Sequence, residues 1–139
     1  MQPSMKKNYG DVRTTQLSFL ETVEQLESAL KKEGFGVLCH IDIQAKMKEK
    51  LGIDFSKYVI LGACNPLLAR LALQGDMNLG LLLPCNTVVY EAGGQIHVGV
   101  IDAIRMLSVA DIPGMEGLAR QVNEKLQRAL DAVAARPAV

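Results

Sequence analysis

The chain has no tryptophan, and three phenylalanines and three tyrosines are its only aromatic residues. Any core must therefore be built from Leu, Val, Ile, Ala and Met. It also lacks an excess of either charge: Lys plus Arg and Asp plus Glu number 15 each. Nothing in that balance calls for nucleic acid or an anionic membrane as a partner. Long apolar runs are missing too, since Met77 to Pro84 is far too short to span a bilayer. Lys6 and Lys7 are followed by no apolar stretch, so no signal peptide is expected. Cysteines are few and odd in number, at three, and their spacing is unlike a disulfide framework. Reduced thiols and a soluble, cytoplasmic protein are the expectation.

What is present is apolar content of 49% over 139 residues, enough for one globular domain with a real core. Residues 1–8 read as a disordered lead, 9–135 as a single α+β domain, and Arg136 to Val139 as a frayed tail. The Thr- and Val-rich stretch Asp11 to Leu17 predicts a strand. Ser18 opens a helix, with Glu21 three residues on to complete a capping box. Phe19, Val23, Leu26 and Leu30 share one face of it, and Gly34 stops it. Gly36 to Ile41 reads as a second strand. Asp42 caps a short basic helix that ends at Gly52, with Ile43, Met47 and Leu51 expected on its buried side.

Lys57 to Cys64 is apolar on both faces and predicts a buried strand. Asn65 and Pro66 then start a helix, as cap and first-turn residue, with Leu67, Leu68, Leu71 and Ala72 as its inner face. Leu79 to Glu91 reads as a long fourth strand. Pro84 within it cannot donate to a ladder, so an edge or a bulge is expected there. Ala92-Gly93-Gly94 is a turn signal, which makes Gln95 to Asp102 an antiparallel fifth strand. A last helix runs from about Asp111 or Pro113 to Ala134, with Leu118, Val122, Leu126, Leu130 and Val133 as its stripe. The order β-α-β-α-β-α-β-β-α predicts a two-layer α+β domain, a mixed sheet covered by helices.

The segments Gly36-Val37-Leu38, Leu61 to Pro66 and Gly80 to Glu91 carry a resemblance to domain of unknown function family 302. It covers roughly Tyr9 to Ala132, and its two Cys-Asn segments are its most specific part. The resemblance implies a small bacterial or archaeal α+β protein, often a homodimer, and it brings no catalytic residue with it. The fourth strand and the final helix are plausible surfaces for such a dimer.

Chemistry points to the same segments, Cys64-Asn65 and Cys85-Asn86, twenty-one residues apart. If the strands that carry them are parallel neighbours, Cys64 lies level with Asn86 and close to Cys85. A cysteine just before a helix N-terminus is open to a lowered pKa, although a small buried hydrophobe is the plainer reading of Cys64. Three functions compete. The first is a ligand-binding or sensing module, in which Cys64, Asn65, Cys85, Asn86 and His40 hold an unidentified small molecule or anion. The second is a thiol enzyme of redox or acyl type that uses Cys64. The third is a soft-metal site on Cys64, Cys85 and His40, with Cys39 as a further donor, or a purely structural homodimer. No cofactor is specified by these residues. Asn65 reads most simply as a helix cap. Asn86 has no such easy account: it either pins a bulge after Pro84 or faces a ligand. His40 and Asp42 share a strand face, which would suit an acid-base pair, and the phase of His97 suggests that it faces solvent.

Overall fold

A computed structural model of the protein describes residues 5–135. Six strands are described: β1 (Met5–Lys7), β2 (Gly10–Thr15), β3 (Gly36–Asp42), β4 (Tyr58–Cys64), β5 (Cys85–Ala92) and β6 (Gln95–Ile101). Five α-helices join them: α1 (Phe19–Lys32), α2 (Ile43–Leu51), α3 (Pro66–Gly75), α4 (Ala103–Ser108) and α5 (Glu116–Val133). The strands form one sheet in the order β1-β2-β6-β5-β4-β3. The two-layer α+β class holds. Within it every described pairing is antiparallel, where a mixed sheet was expected.

The local signals explain most boundaries. Ser18 accepts from the Glu21 N–H, the first half of the expected capping box of α1, while the Glu21 carboxylate accepts from the Ser18 hydroxyl instead of from its backbone N–H. Asp42 Oδ1 accepts from the Ala45 N–H to start α2, and Gly52 ends that helix in the left-handed conformation. Gly93 and Gly94 both have positive φ and close the β5–β6 hairpin.

Three expectations need correction. The run from Leu79 to Glu91 is not one strand: Met77–Leu82 is a 3₁₀ helix, the Leu83-Pro84 bond is cis, and β5 begins only at Cys85. Pro84 therefore sits outside the ladder, and β5 is an interior strand with β4 on one side and β6 on the other. The lead expected over residues 1–8 is in part a strand, since Met5–Lys7 pairs with β2. Residues 1–4 and the tail 136–139 lie outside the described residues. Helix α4 was not anticipated; Asp102 caps it by accepting from the Arg105 N–H, and the Pro113-Gly114 turn delays α5 to Glu116.

The core lies between one sheet face and the helices α1 and α5. Val59, Leu61 and Ala63 of β4 point into it, as do Val89 of β5 and Val98 and Val100 of β6. Leu26 and Leu30 of α1 and Leu126 and Leu130 of α5 meet them with no exposed surface. Burial of such side chains contributes about 1.5–3 kcal/mol each. A smaller cluster, Ala72, Leu79, Leu107 and Ala119, ties α3, the 3₁₀ helix and α4 to the start of α5.

One buried element was invisible in the hydrophobic pattern. Arg13 of β2 points to the helix side and is 4% exposed. Its Nη1 donates to Asp131 Oδ1 at 2.5 Å and to the Ala134 carbonyl at 3.0 Å, while Nη2 donates to Asp11 Oδ2 at 3.1 Å. A charge held this deep must be paired and hydrogen-bonded, and here it fastens β2 to the end of α5.

Candidate functional site

The two Cys-Asn segments meet because β4 and β5 are antiparallel neighbours. Ala63 lies opposite Cys85 and Gly62 opposite Asn86, so Cys64 is one residue past the Cys85 position. The parallel pairing that would set Cys64 level with Asn86 does not occur; the strands are antiparallel, and Gly62 takes that place. All three cysteines are free.

The four residues do different things. Cys85 takes the inward phase of β5 and is buried. Burial pushes its thiol up to about 11, with the nearby Cys64 as a second cause. Burial also pushes the Cys64 thiol up, in line with the plainer reading of a small packed cysteine and not with a thiolate favoured by the helix N-terminus. The local structure explains the difference. Pro66 has no N–H to offer, and the Leu68 N–H is already taken by Asn65 Oδ1 at 3.3 Å. Cys64, Asn65 and Cys85 line a cavity of about 30 Å³ whose walls are almost wholly apolar. That is the room of about a single water molecule.

Asn65 is fully employed. While Oδ1 caps α3, its Nδ2 donates to the Glu33 carbonyl at 3.3 Å and so ties α3 to the end of α1. Gly34 lies directly beneath, at φ +85°, and a Cβ there would come within 2.8 Å of Asn65 Nδ2. Its expected role as helix stop thus extends to making room for this clamp.

Asn86 takes the outward phase of β5, on the sheet face opposite to α1 and α5, and is exposed. Beside it lies a groove of about 490 Å³ walled by Tyr9, Tyr58 and Tyr90, with Lys7 at its rim. Gly99 lines it, and a Cβ there would meet Val12 Cγ2 at 2.9 Å. Tyr58 and Tyr90 stack with centroids 5.1 Å apart, and Tyr90 stacks in turn on His97 at 4.8 Å. Burial, with Tyr58 and Tyr9 nearby, pushes the Tyr90 hydroxyl pKa upward.

His97 has the outward phase that was expected, yet it is 7% exposed rather than solvent-facing. The Tyr90 ring covers it, and its Nε2 lies 3.3 Å from the Ala92 carbonyl. His40 is on the edge strand β3, opposite Leu61 and hence turned to the α1 side, where its Nε2 meets Glu27 Oε1 at 2.5 Å. Asp42 is occupied as the cap of α2, so the two do not form the acid-base pair considered above. Cys39 lies opposite Gly62 on the other face from His40. Among the described residues no group of three or more His, Cys, Asp or Glu could hold a metal ion. Also among them, no helix is long and apolar enough to cross a membrane.

The tyrosine groove was missed by sequence reasoning. The signal was there in the alternation of β4 and β5, where Tyr58, Asn86, Val88 and Tyr90 all share the phase opposite to the core residues. It becomes legible only once the two strands are known to be neighbours in this register.

Comparison with known proteins agrees with this architecture. The crystal structure of the uncharacterized conserved protein DUF302 from Bacillus stearothermophilus is similar at a TM-score of 0.85 and 32% identity, over 91% of this chain and 99% of that one. No match is found among curated proteins. The model of the family described as "Domain of unknown function DUF302" matches residues 11–133, and the chain belongs to that family.

Proposed function

We propose that this protein is a small-molecule binding or sensing module, and that its site is the tyrosine groove on the sheet face opposite to α1 and α5. The observation that carries this reading is the combination of volume and lining. At about 490 Å³ the groove falls in the range of roughly 300–1,000 Å³ of small-molecule sites. It offers aromatic walls, one uncommitted amide at Asn86 and one ammonium at Lys7. The Tyr90 ring is sandwiched between Tyr58 and His97, so the groove presents ring edges, and the set suits a flat apolar body packed against those edges with a polar group for Asn86 and an anionic group for Lys7. Of the two Cys-Asn segments, only Asn86 belongs to this site. The cavity beside Cys64 and Cys85 is small and apolar and burial pushes both thiols up, which supports packing over a thiolate nucleophile as the role of those cysteines.

Titration with 1-naphthalenesulfonate, followed by NMR, tests the reading. Shifts should concentrate on Tyr58, Tyr90 and Asn86, and Asn86→Leu should weaken binding by about tenfold, the worth of one good polar contact. Shifts confined to other surfaces, or an unchanged affinity in Asn86→Leu, would refute it.

A further inference from the structure

Helix α4, the turn over 109–115 and the first turns of α5 border a second pocket, of about 460 Å³. That volume too falls in the range of roughly 300–1,000 Å³ of small-molecule sites. No residue lines both this pocket and the tyrosine groove, so this inference and the proposed function stand or fall separately.

The base of the pocket is apolar. Leu107 of α4 and Ala119 of α5 line it and are themselves buried in the smaller apolar cluster. Ile104, three residues before Leu107 on α4, is 42% exposed beside it, and Ile112 of the turn adds a further apolar wall. An apolar surface left part-exposed in a concave place gains from a ligand that removes it from water.

Three charges complete the lining: Asp111 on the turn, and Glu116 and Arg120 on α5. Glu116 and Arg120 are four residues apart, the spacing at which opposite charges on a helix can pair. They do not pair, and among the described residues none of the three charges has a side-chain partner. Asp111 is also, among the described residues, the one non-glycine with positive φ, at 51°. Glycine takes that conformation freely, and aspartate is one of the few other residues that tolerate it. The turn thus gives up the ease of glycine and keeps a carboxylate at the pocket.

We infer that this pocket binds a free α-amino acid with an apolar side chain. The charge set decides the class. The carboxylates of Asp111 and Glu116 suit an ammonium group, and the Arg120 guanidinium suits a carboxylate, which it can hold by two parallel hydrogen bonds. The apolar base takes the side chain. A simple cation would leave Arg120 unanswered, and a simple anion would meet two like charges.

Titration of the full chain with leucine, methionine and phenylalanine, followed by NMR, is the test. Shifts should fall on Ile104, Leu107 and Ala119. For whichever binds best, the amine that lacks its carboxylate and the acid that lacks its amine should each bind about tenfold more weakly. For leucine these are isoamylamine and isocaproate. Arg120→Ala should weaken the amino acid by about tenfold without weakening the amine, and Glu116→Gln should weaken it without weakening the acid. Both side chains are exposed, so the variants should fold, as circular dichroism will check. Absence of binding by all three amino acids would overturn the inference. So would an amine or acid that binds as tightly as its parent, or variants that lose amino acid, amine and acid alike.

Discussion

Cys64-Asn65 and Cys85-Asn86 are the same pair of residues on neighbouring strands, and they have opposite fates. In the first, the asparagine is consumed by structure. Asn65 caps α3 through Oδ1 and holds the end of α1 through Nδ2. In the second, the cysteine is consumed: Cys85 is in the core, while Asn86 is exposed on the open face. The difference is one of position relative to the strand. Cys64 is the last residue of β4, so the residue after it has left the ladder and begun a helix. Cys85 is the first residue of β5, so the residue after it is on the ladder and points to the other face. A repeated dipeptide is therefore not a repeated site. The strand that carries it decides which side chain is free.

The sharpest way to break this contrast is at Asn65. Asn65→Ala removes the cap of α3 and leaves the Glu33 carbonyl without that donor, and it should cost about 2 kcal/mol. Asn65→Asp keeps the cap acceptor but not the amide N–H, and it should recover about half of that loss. Urea midpoints for the three chains measure both. A loss below about 0.5 kcal/mol for the alanine variant would mean that the clamp does not hold α1 and α3 together.

Much of this was open to reading along the chain, because caps and turns are local. Ser18, Asp42, Asn65, Gly34 and the Gly93-Gly94 hairpin all act within a few residues of themselves, and each is found in its expected role. What escaped is non-local. The apolar run Leu79–Leu83 has strand composition, but its first part joins a 3₁₀ turn that packs Leu79 into the smaller cluster, and propensity yields to that packing. The inner face of α3 is narrower than its apolar stripe: Leu68 and Ala72 are buried, while Leu67 and Leu71 are exposed. Arg13 reads as an exposed strand residue until α5, more than a hundred positions later, brings Asp131 to it. Hydrophobic phase predicts which side of an element is apolar. It does not say which partner element is there to cover it: on α2 Ile43 and Met47 are half-covered, while Leu51 is left exposed.

The cysteine half of the contrast is tested by pH. A cysteine in an unfolded chain ionises near pH 8.5. Native Cys85 keeps its proton to about 11 because burial opposes the thiolate. Between those values the unfolded chain has released a proton that the native chain retains, so rising pH favours unfolding. Stability contributed by this group is intact below about pH 8.5 and declines towards pH 11, by up to about 3 kcal/mol. Cys64 acts with the same sign, since its thiol is also pushed up. Cys85→Ala should flatten the decline, measured as urea midpoints from pH 8 to 10.5. Equal slopes in wild type and Cys85→Ala would place the high-pH sensitivity elsewhere.

The smallest expected effect is at Asn86, and it is the one that separates the two segments most cleanly. The amide is exposed on the open sheet face and neither caps a helix nor bridges two elements, so Asn86→Ala should change stability by less than about 0.5 kcal/mol. Asn65→Ala, the identical chemical change twenty-one residues earlier, should cost about four times as much. If Asn86 instead pinned the start of β5, as its neighbour Pro84 once suggested, the two losses would be similar and thermal unfolding would show it. A small loss of stability together with a large loss of naphthalenesulfonate affinity assigns the amide to the groove, because a residue that holds no structure and still governs binding acts through what it touches outside the chain.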